Sequence, residues 1–214
     1  MSSLNKQQQE NLLPMQALEF LKAGNFRFLN NINQKADLMK QVLDTADSQY
    51  PYAAILSCMD SRNSNELIFD QGIGDIFSVR IAGNIITEGI LGSLEFACKV
   101  AGAKLILILG HTKCGAIKGA CDGVHMGNLT TVLNKIRPAI EAETTFTLDR
   151  DGNNNAFVEK VAELNARLSI QRLMRESPIL KELIDNGQIG ILAGLYHVET
   201  GVVDFFEDSL ILNK

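Results

Sequence analysis

Two short stretches combine residue types suited to metal and acid/base chemistry: Cys58-Met59-Asp60-Ser61-Arg62 and His111-Thr112-Lys113-Cys114-Gly115. Zinc prefers thiolate sulfur and imidazole nitrogen, and a catalytic zinc keeps one of its four positions open for water or substrate. Cys58, His111 and Cys114 make a Cys2His set with such an opening. Asp60 and Arg62, spaced by two, project to one side if that segment is extended, and a neighbouring guanidinium favours the ionised carboxylate. An ionised Asp60 only accepts hydrogen bonds, so it can hold the proton of an activated water, or it can itself become a fourth metal ligand. Both readings of Asp60 stand at this level.

The remaining sulfur and imidazole groups fit the chemistry less well. Cys98 falls inside an apolar helical stretch and reads as a small buried hydrophobe. Cys121 comes about two helical turns after Cys114, too far to share its metal. His125 and His197 read as surface or packed histidines, His125 being an outside candidate for proton relay. A purely structural zinc would want a fourth Cys or His and has no use for Asp60 and Arg62.

The elements around these residues must bring two distant motifs together. Ala53 to Leu56, Ile76 to Ile81 and Lys104 to Leu109 are short apolar runs that read as strands. Asn65 to Asp70 and Glu88 to Ala101 read as the helices between them, the second ending at Gly102. Alternation of strand and helix predicts parallel pairing with right-handed crossovers. Parallel strands deliver their C-terminal ends to one edge, where open α/β sheets bind ligands, so Cys58 and His111 should meet there.

Further along, helices are expected from Gly115 to Ala120, from Leu129 to Ile136, from Phe157 to Arg175 and from Pro178 to Gly187. Asp149 to Asn155 reads as a surface loop. Ile189 to Tyr196 and Val202 to Phe206 read as a terminal hairpin. Met15 to Leu29, with apolar residues at helical steps and Gly24 as an interruption, reads as one or two amphipathic helices of a packing arm. The expected class is therefore α/β: a single domain with a central, mostly parallel sheet flanked by helices, an N-terminal helical arm and a C-terminal strand pair. The arm takes residues 1–45 and the zinc-binding catalytic domain residues 46–214.

The 214 residues suffice for a core without disulfides, and 46% hydrophobic with 21% charged residues is ordinary for a globular protein. A net charge of −5 offers no basic field for nucleic acid. Four cysteines are too few for a disulfide scaffold and favour reduced thiols in the cytoplasm. The N-terminal MSSLNKQQQENLLPMQ lacks the pattern of a secretory signal, and no apolar run approaches the roughly 20 residues of a membrane span.

These motifs closely resemble those of the β-class carbonic anhydrases. Cys-x-Asp-Ser-Arg followed by His-x-x-Cys-Gly is highly specific to that family, and Gly74 to Phe77, Arg80 to Asn84 and Gly92 to Phe96 match it as well. The resemblance implies one zinc ion per subunit held by Cys58, His111 and Cys114, with Asp60 as hydroxide partner or as fourth ligand in a closed state. It implies reversible hydration of carbon dioxide to bicarbonate and a proton by zinc-bound hydroxide. It places Gln49 as an amide donor to bicarbonate, and Phe77 and Phe96 in an apolar carbon dioxide pocket built partly across a dimer interface. A homodimer or a dimer-of-dimers tetramer is implied, the arm wrapping the partner. Asn63 and Ile81 stand where the best-known members have Val or Thr and Asn, and the chain has no Trp for a tryptophan-based bicarbonate site. The same scaffold also serves hydrolases of carbon disulfide and carbonyl sulfide, and a non-catalytic structural-zinc module is the remaining alternative.

Overall fold

The computed structural model describes residues 4–32 and 37–213. Five strands form one sheet in the order β2-β1-β3-β4-β5. They are β1 (Ala53–Ser57), β2 (Ile76–Arg80), β3 (Leu105–His111), β4 (Gly190–Tyr196) and β5 (Val203–Ile211). The first four pair in parallel and β5 returns antiparallel against β4; the alternating pattern predicted the parallel pairing of β1, β2 and β3, and the terminal hairpin predicted the antiparallel pairing of β4 with β5.

Strands β1, β3 and β4 are buried at every position, because both faces of the sheet are covered. On one face Ala54, Leu56, Ile106, Ile108 and Ile191 pack with apolar residues of α5 (Glu88–Glu95), α9 (Asn155–Glu176) and α10 (Pro178–Asp185). On the other, Ala53, Ile55, Leu105, Leu107 and Leu192 pack with Leu18 and Leu21 of α2 (Pro14–Leu29) and with Ile68 at the end of α4 (Asn65–Ile68). The helical arm begins with α1 (Lys6–Glu10) and reaches α3 (Leu38–Asp44).

Gly24 does not interrupt α2. It lies inside one continuous helix, and a Cβ there would stand 1.8 Å from the Phe69 carbonyl oxygen, so glycine allows the helix to approach that backbone. The helix expected from Glu88 to Ala101 is regular only to Glu95 and then widens into a π turn over Phe96–Val100, where the Ala101 N–H donates to the Phe96 carbonyl. Gly102, at φ +82°, ends it. The expected helix over Leu129 to Ile136 closes at Asn134 as α7 (Leu129–Asn134), and Pro138 sits in the first turn of α8 (Arg137–Ala142).

Helix α9 starts at Asn154, whose side chain caps the Phe157 N–H. Its buried stripe includes Val158, Val161, Ala162, Asn165, Ala166, Ile170 and Leu173, while Leu164 and Leu168 are half-buried. The loop before it is not wholly superficial: Gly152 is buried and its N–H donates to Asp122. Strand β5 continues beyond Phe206 to Ile211 as a sheet edge, with Glu207 and Asp208 exposed and Ser209 to Ile211 half-buried. No helix among the described residues is long and apolar enough to cross a membrane.

Candidate metal centre

Strands β1 and β3 are neighbours in parallel register, with Ser57 opposite Leu109. Cys58, the first residue after β1, and His111, the last of β3, therefore emerge side by side at one sheet edge. After His111 the chain turns through Lys113, a non-glycine residue at φ +54°, and this brings Cys114 to the start of α6 (Gly115–Cys121). The Cys58 sulfur, a His111 ring nitrogen and the Cys114 sulfur all lie within 4.8 Å of one another. All three residues are buried.

The donor set fits a tetrahedral zinc ion. The two sulfurs are 3.9 Å apart, and two thiolates each about 2.3 Å from a tetrahedral centre would be separated by about 3.8 Å. His111 Nδ1 lies 2.9 Å from the Thr112 carbonyl oxygen, which requires the proton on Nδ1 and leaves the Nε2 lone pair free. His111 Nε2 is buried with no hydrogen-bond partner among the described residues. A buried acceptor left so costs about 1–3 kcal/mol, which a metal bond would offset. The thiols are also poised unequally. Cys58 is held well below the ordinary thiol range by the Cys114 thiol, helped by the Gly83 N–H, while Cys114 is pushed up by Cys58 and by burial.

Asp60 turns to Arg62. Guanidinium Nε donates to Oδ1 at 2.9 Å and Nη2 to Oδ2 at 2.8 Å, and the Arg62 backbone N–H adds a third bond to Oδ1 at 3.0 Å. This bidentate grip holds the Asp60 carboxyl well below the usual carboxylate range. Arg80, from the end of β2, secures the same segment from beneath, donating to the Cys58 and Asp60 carbonyls at 3.2 and 2.6 Å.

Several supporting groups were not singled out by sequence reasoning. The Gly83 N–H donates to the Cys58 sulfur at 3.4 Å, and the Gly83 carbonyl accepts from the Asn165 side chain at 2.9 Å. Glu199, in the turn between β4 and β5, accepts from the Thr112 hydroxyl at 3.2 Å and pairs with Lys113 at 2.5 Å, so it braces the turn that links His111 to Cys114. The Ala82-Gly83-Asn84 run was visible as a motif. The partners Asn165 and Glu199 carry no local signal, because they reach their targets from 82 and 87 positions away.

Three expected pocket residues lie elsewhere in the chain. Gln49 is exposed on the segment entering β1, beside Gly74 before β2. Phe77 pairs in register with Ala54, four residues before Cys58 and so roughly 13 Å from the metal edge. Its ring meets the exposed Phe96 edge to face, with centroids 6.4 Å apart. Cys98 is buried in the core, its thiol pushed up to about 12 by burial, and Cys121 stays outside the ligand cluster. His125 is exposed, and His197 bonds Asp204 at 2.8 Å.

Known proteins resemble this chain in sequence and fold. The sequence model of the family described as carbonic anhydrase matches residues 53–203. Carbonic anhydrase 2 of Mycobacterium tuberculosis is 34% identical over 194 residues, spanning 89% of this chain and 92% of that protein. The structure of a Coccomyxa β-carbonic anhydrase in complex with acetazolamide superposes with a TM-score of 0.68 at 25% identity, covering 77% of this chain and 75% of that one. One of two tetrameric β-carbonic anhydrases from Sordaria macrospora shares the fold, with a TM-score of 0.66 at 22% identity over 79% and 90% of the two chains. With most of its length matched, and the Cys-His-Cys cluster at the edge where the sheet delivers it, this chain belongs to the β class of the carbonic anhydrase family.

Proposed function

We propose that this protein is a carbonic anhydrase that interconverts carbon dioxide and bicarbonate at a single zinc ion held by Cys58, His111 and Cys114. The observation that carries the reading is the buried trio of donors within 4.8 Å, beside an ionised carboxylate that is not part of the trio. Zinc bound there supplies the Lewis acidity that makes water nucleophilic near neutral pH. The chain's own groups do the rest. Thr112 holds the His111 tautomer through its carbonyl, and the Gly83 N–H steadies the Cys58 sulfur. Asp60, kept ionised and aimed by Arg62, accepts a hydrogen bond from the attacking water and so orients its lone pair. Its Oδ2 takes one bond from Arg62 and retains capacity for a second. This arrangement supports Asp60 as partner of the nucleophile rather than as a fourth ligand.

Gln49, Phe77 and Phe96 sit away from the metal edge of their own chain, which supports a pocket completed by a second copy: Gln49 as donor to bicarbonate, the two aromatic rings as an apolar wall for carbon dioxide. We infer a homodimer or a dimer of dimers on that ground, and the tetrameric relative by fold is consistent with it. The arm supports the same arrangement, since α3 buries none of its residues while Leu38, Met39, Val42 and Leu43 are exposed. A cytoplasmic setting belongs to this proposal, because metal-binding thiolates need a reducing compartment and all four cysteines are free. The relatives' names favour carbon dioxide over carbonyl sulfide or carbon disulfide, and the Asp60–Arg62 pair argues against a purely structural metal.

Stopped-flow hydration of carbon dioxide tests the reading. With one zinc per chain, rates far above buffer are expected between about pH 7 and 9, and a fully loaded protein with no activity above buffer would overturn it.

A further inference from the structure

Helix α9 carries one amide within its buried stripe. Asn165 is 4% exposed, on the same face as Val158, Val161, Ala162 and Ala166. A polar side chain in that position is costly unless it is bonded. Its Nδ2 donates to the Gly83 carbonyl at 2.9 Å. Gly83 in turn is left-handed, at φ 69° and ψ 18°, in the tight turn that follows β2. That conformation directs its N–H to the Cys58 sulfur. The turn has no slack: a Cβ on Gly83 would stand 2.9 Å from Ile136 Cδ1 and 3.4 Å from the Ala116 Cβ.

We propose that Asn165 is a positioning residue for Cys58, holding the Gly83 turn so that its N–H stays on the sulfur and thereby setting how tightly the thiolate binds its metal. This rests on Cys58 being a zinc ligand, as proposed above. An N–H bond to a coordinating thiolate draws charge from the sulfur and stabilises it against reprotonation, and outer partners of this kind typically alter metal affinity by about 10–100-fold. Asn165 touches neither metal nor substrate and acts entirely through Gly83. Without its donor, the Gly83 carbonyl is buried without that bond and the turn is free to rotate its N–H off the sulfur.

The test uses the full chain and three readouts: zinc affinity by chelator competition, the sulfur-to-metal charge-transfer band of the cobalt-substituted protein, and the melting temperature of the metal-free protein. Asn165→Leu and the milder Asn165→Ala should raise the zinc dissociation constant about ten-fold or more and move the cobalt band to longer wavelength. Val161→Ala, on the same buried stripe but without a link to Gly83, should lower the melting temperature and leave both metal readouts unchanged. Either Asn165 variant folding with wild-type affinity and an unshifted band overturns the proposal. So does Val161→Ala shifting them as much. A wild-type chain that binds no zinc would instead overturn the metal site itself.

Discussion

At the scale of single residues, the role proposed for Asp60 can be separated by experiment from that of a metal ligand. The folded value of Asp60 is depressed by Arg62, so the contribution of the pair is complete above the ordinary value of 3.8 and is lost only as pH falls through the lower folded value. Across the working range the pair does not titrate, and no inflection of kcat/KM between about pH 6 and 9 should move when Asp60 is altered conservatively. Asp60→Asn should lower kcat/KM by about 100-fold while zinc content, measured by metal analysis, stays at one per chain. Loss of zinc together with activity would instead mark Asp60 as a ligand. Arg62→Lys should also be damaging, because an ammonium cannot reproduce the two-pronged grip on the carboxylate. The Cys58, His111 and Cys114 cluster and the Asp60–Arg62 pair were legible from the chain because each motif is local. Arg80, which carries the backbone under Asp60, was seen only as part of a matching segment, since its role depends on carbonyls 22 and 20 positions away in the chain.

At the scale of elements, the turns and helix ends hold the strands to their task. Gly24→Ala forces α2 off the Phe69 backbone and should cost roughly 1–3 kcal/mol, visible as a lower melting temperature. The segment after α8 is pinned by Glu143. Burial alone would push its carboxyl up, but bonds from the Thr145 hydroxyl, from the Thr145 and Phe146 N–H groups and from Arg150 hold it below the ordinary range of 4.5. The stabilisation is therefore present above that value and fades as pH falls. Glu143→Gln should melt below wild type at pH 7, with the gap narrowing in acid, as scanning calorimetry across pH would show. Parallel pairing of the first strands followed from the alternation of apolar runs with helices. The π turn at Phe96 and the length of β5 did not. A widened helical turn keeps nearly the spacing of a regular one, and an edge strand bearing Glu207 and Asp208 carries too little apolar alternation to announce itself.

At the scale of the whole molecule, Gln49 and Phe77 lie toward the opposite end of the strands from the Cys-His-Cys edge, and the assembly proposed on that ground can be tested directly. Analytical ultracentrifugation should find a dimer or tetramer. Met39→Glu with Leu43→Glu, placed on the exposed face of α3, should shift it toward monomer and lower kcat/KM although the metal donors are untouched. An assembly-deficient variant with full activity would show that each chain completes its own pocket. The closeness of the two sulfurs has a further consequence for the chain as a polymer. Cys58 and Cys114 are 56 positions apart yet their sulfurs lie 3.9 Å from each other, so a shared ion would close β2, α5 and β3 into a ring. A chelator would open that ring, and the native state would lose the stabilisation of bound metal, about 4 kcal/mol when free zinc is 1,000 times its dissociation constant. Amide hydrogen exchange should then quicken first at Ala82–Asn84 and in the Thr112-Lys113 turn. The centre of β3, hydrogen-bonded on both sides, should remain slow until the molecule unfolds as a whole.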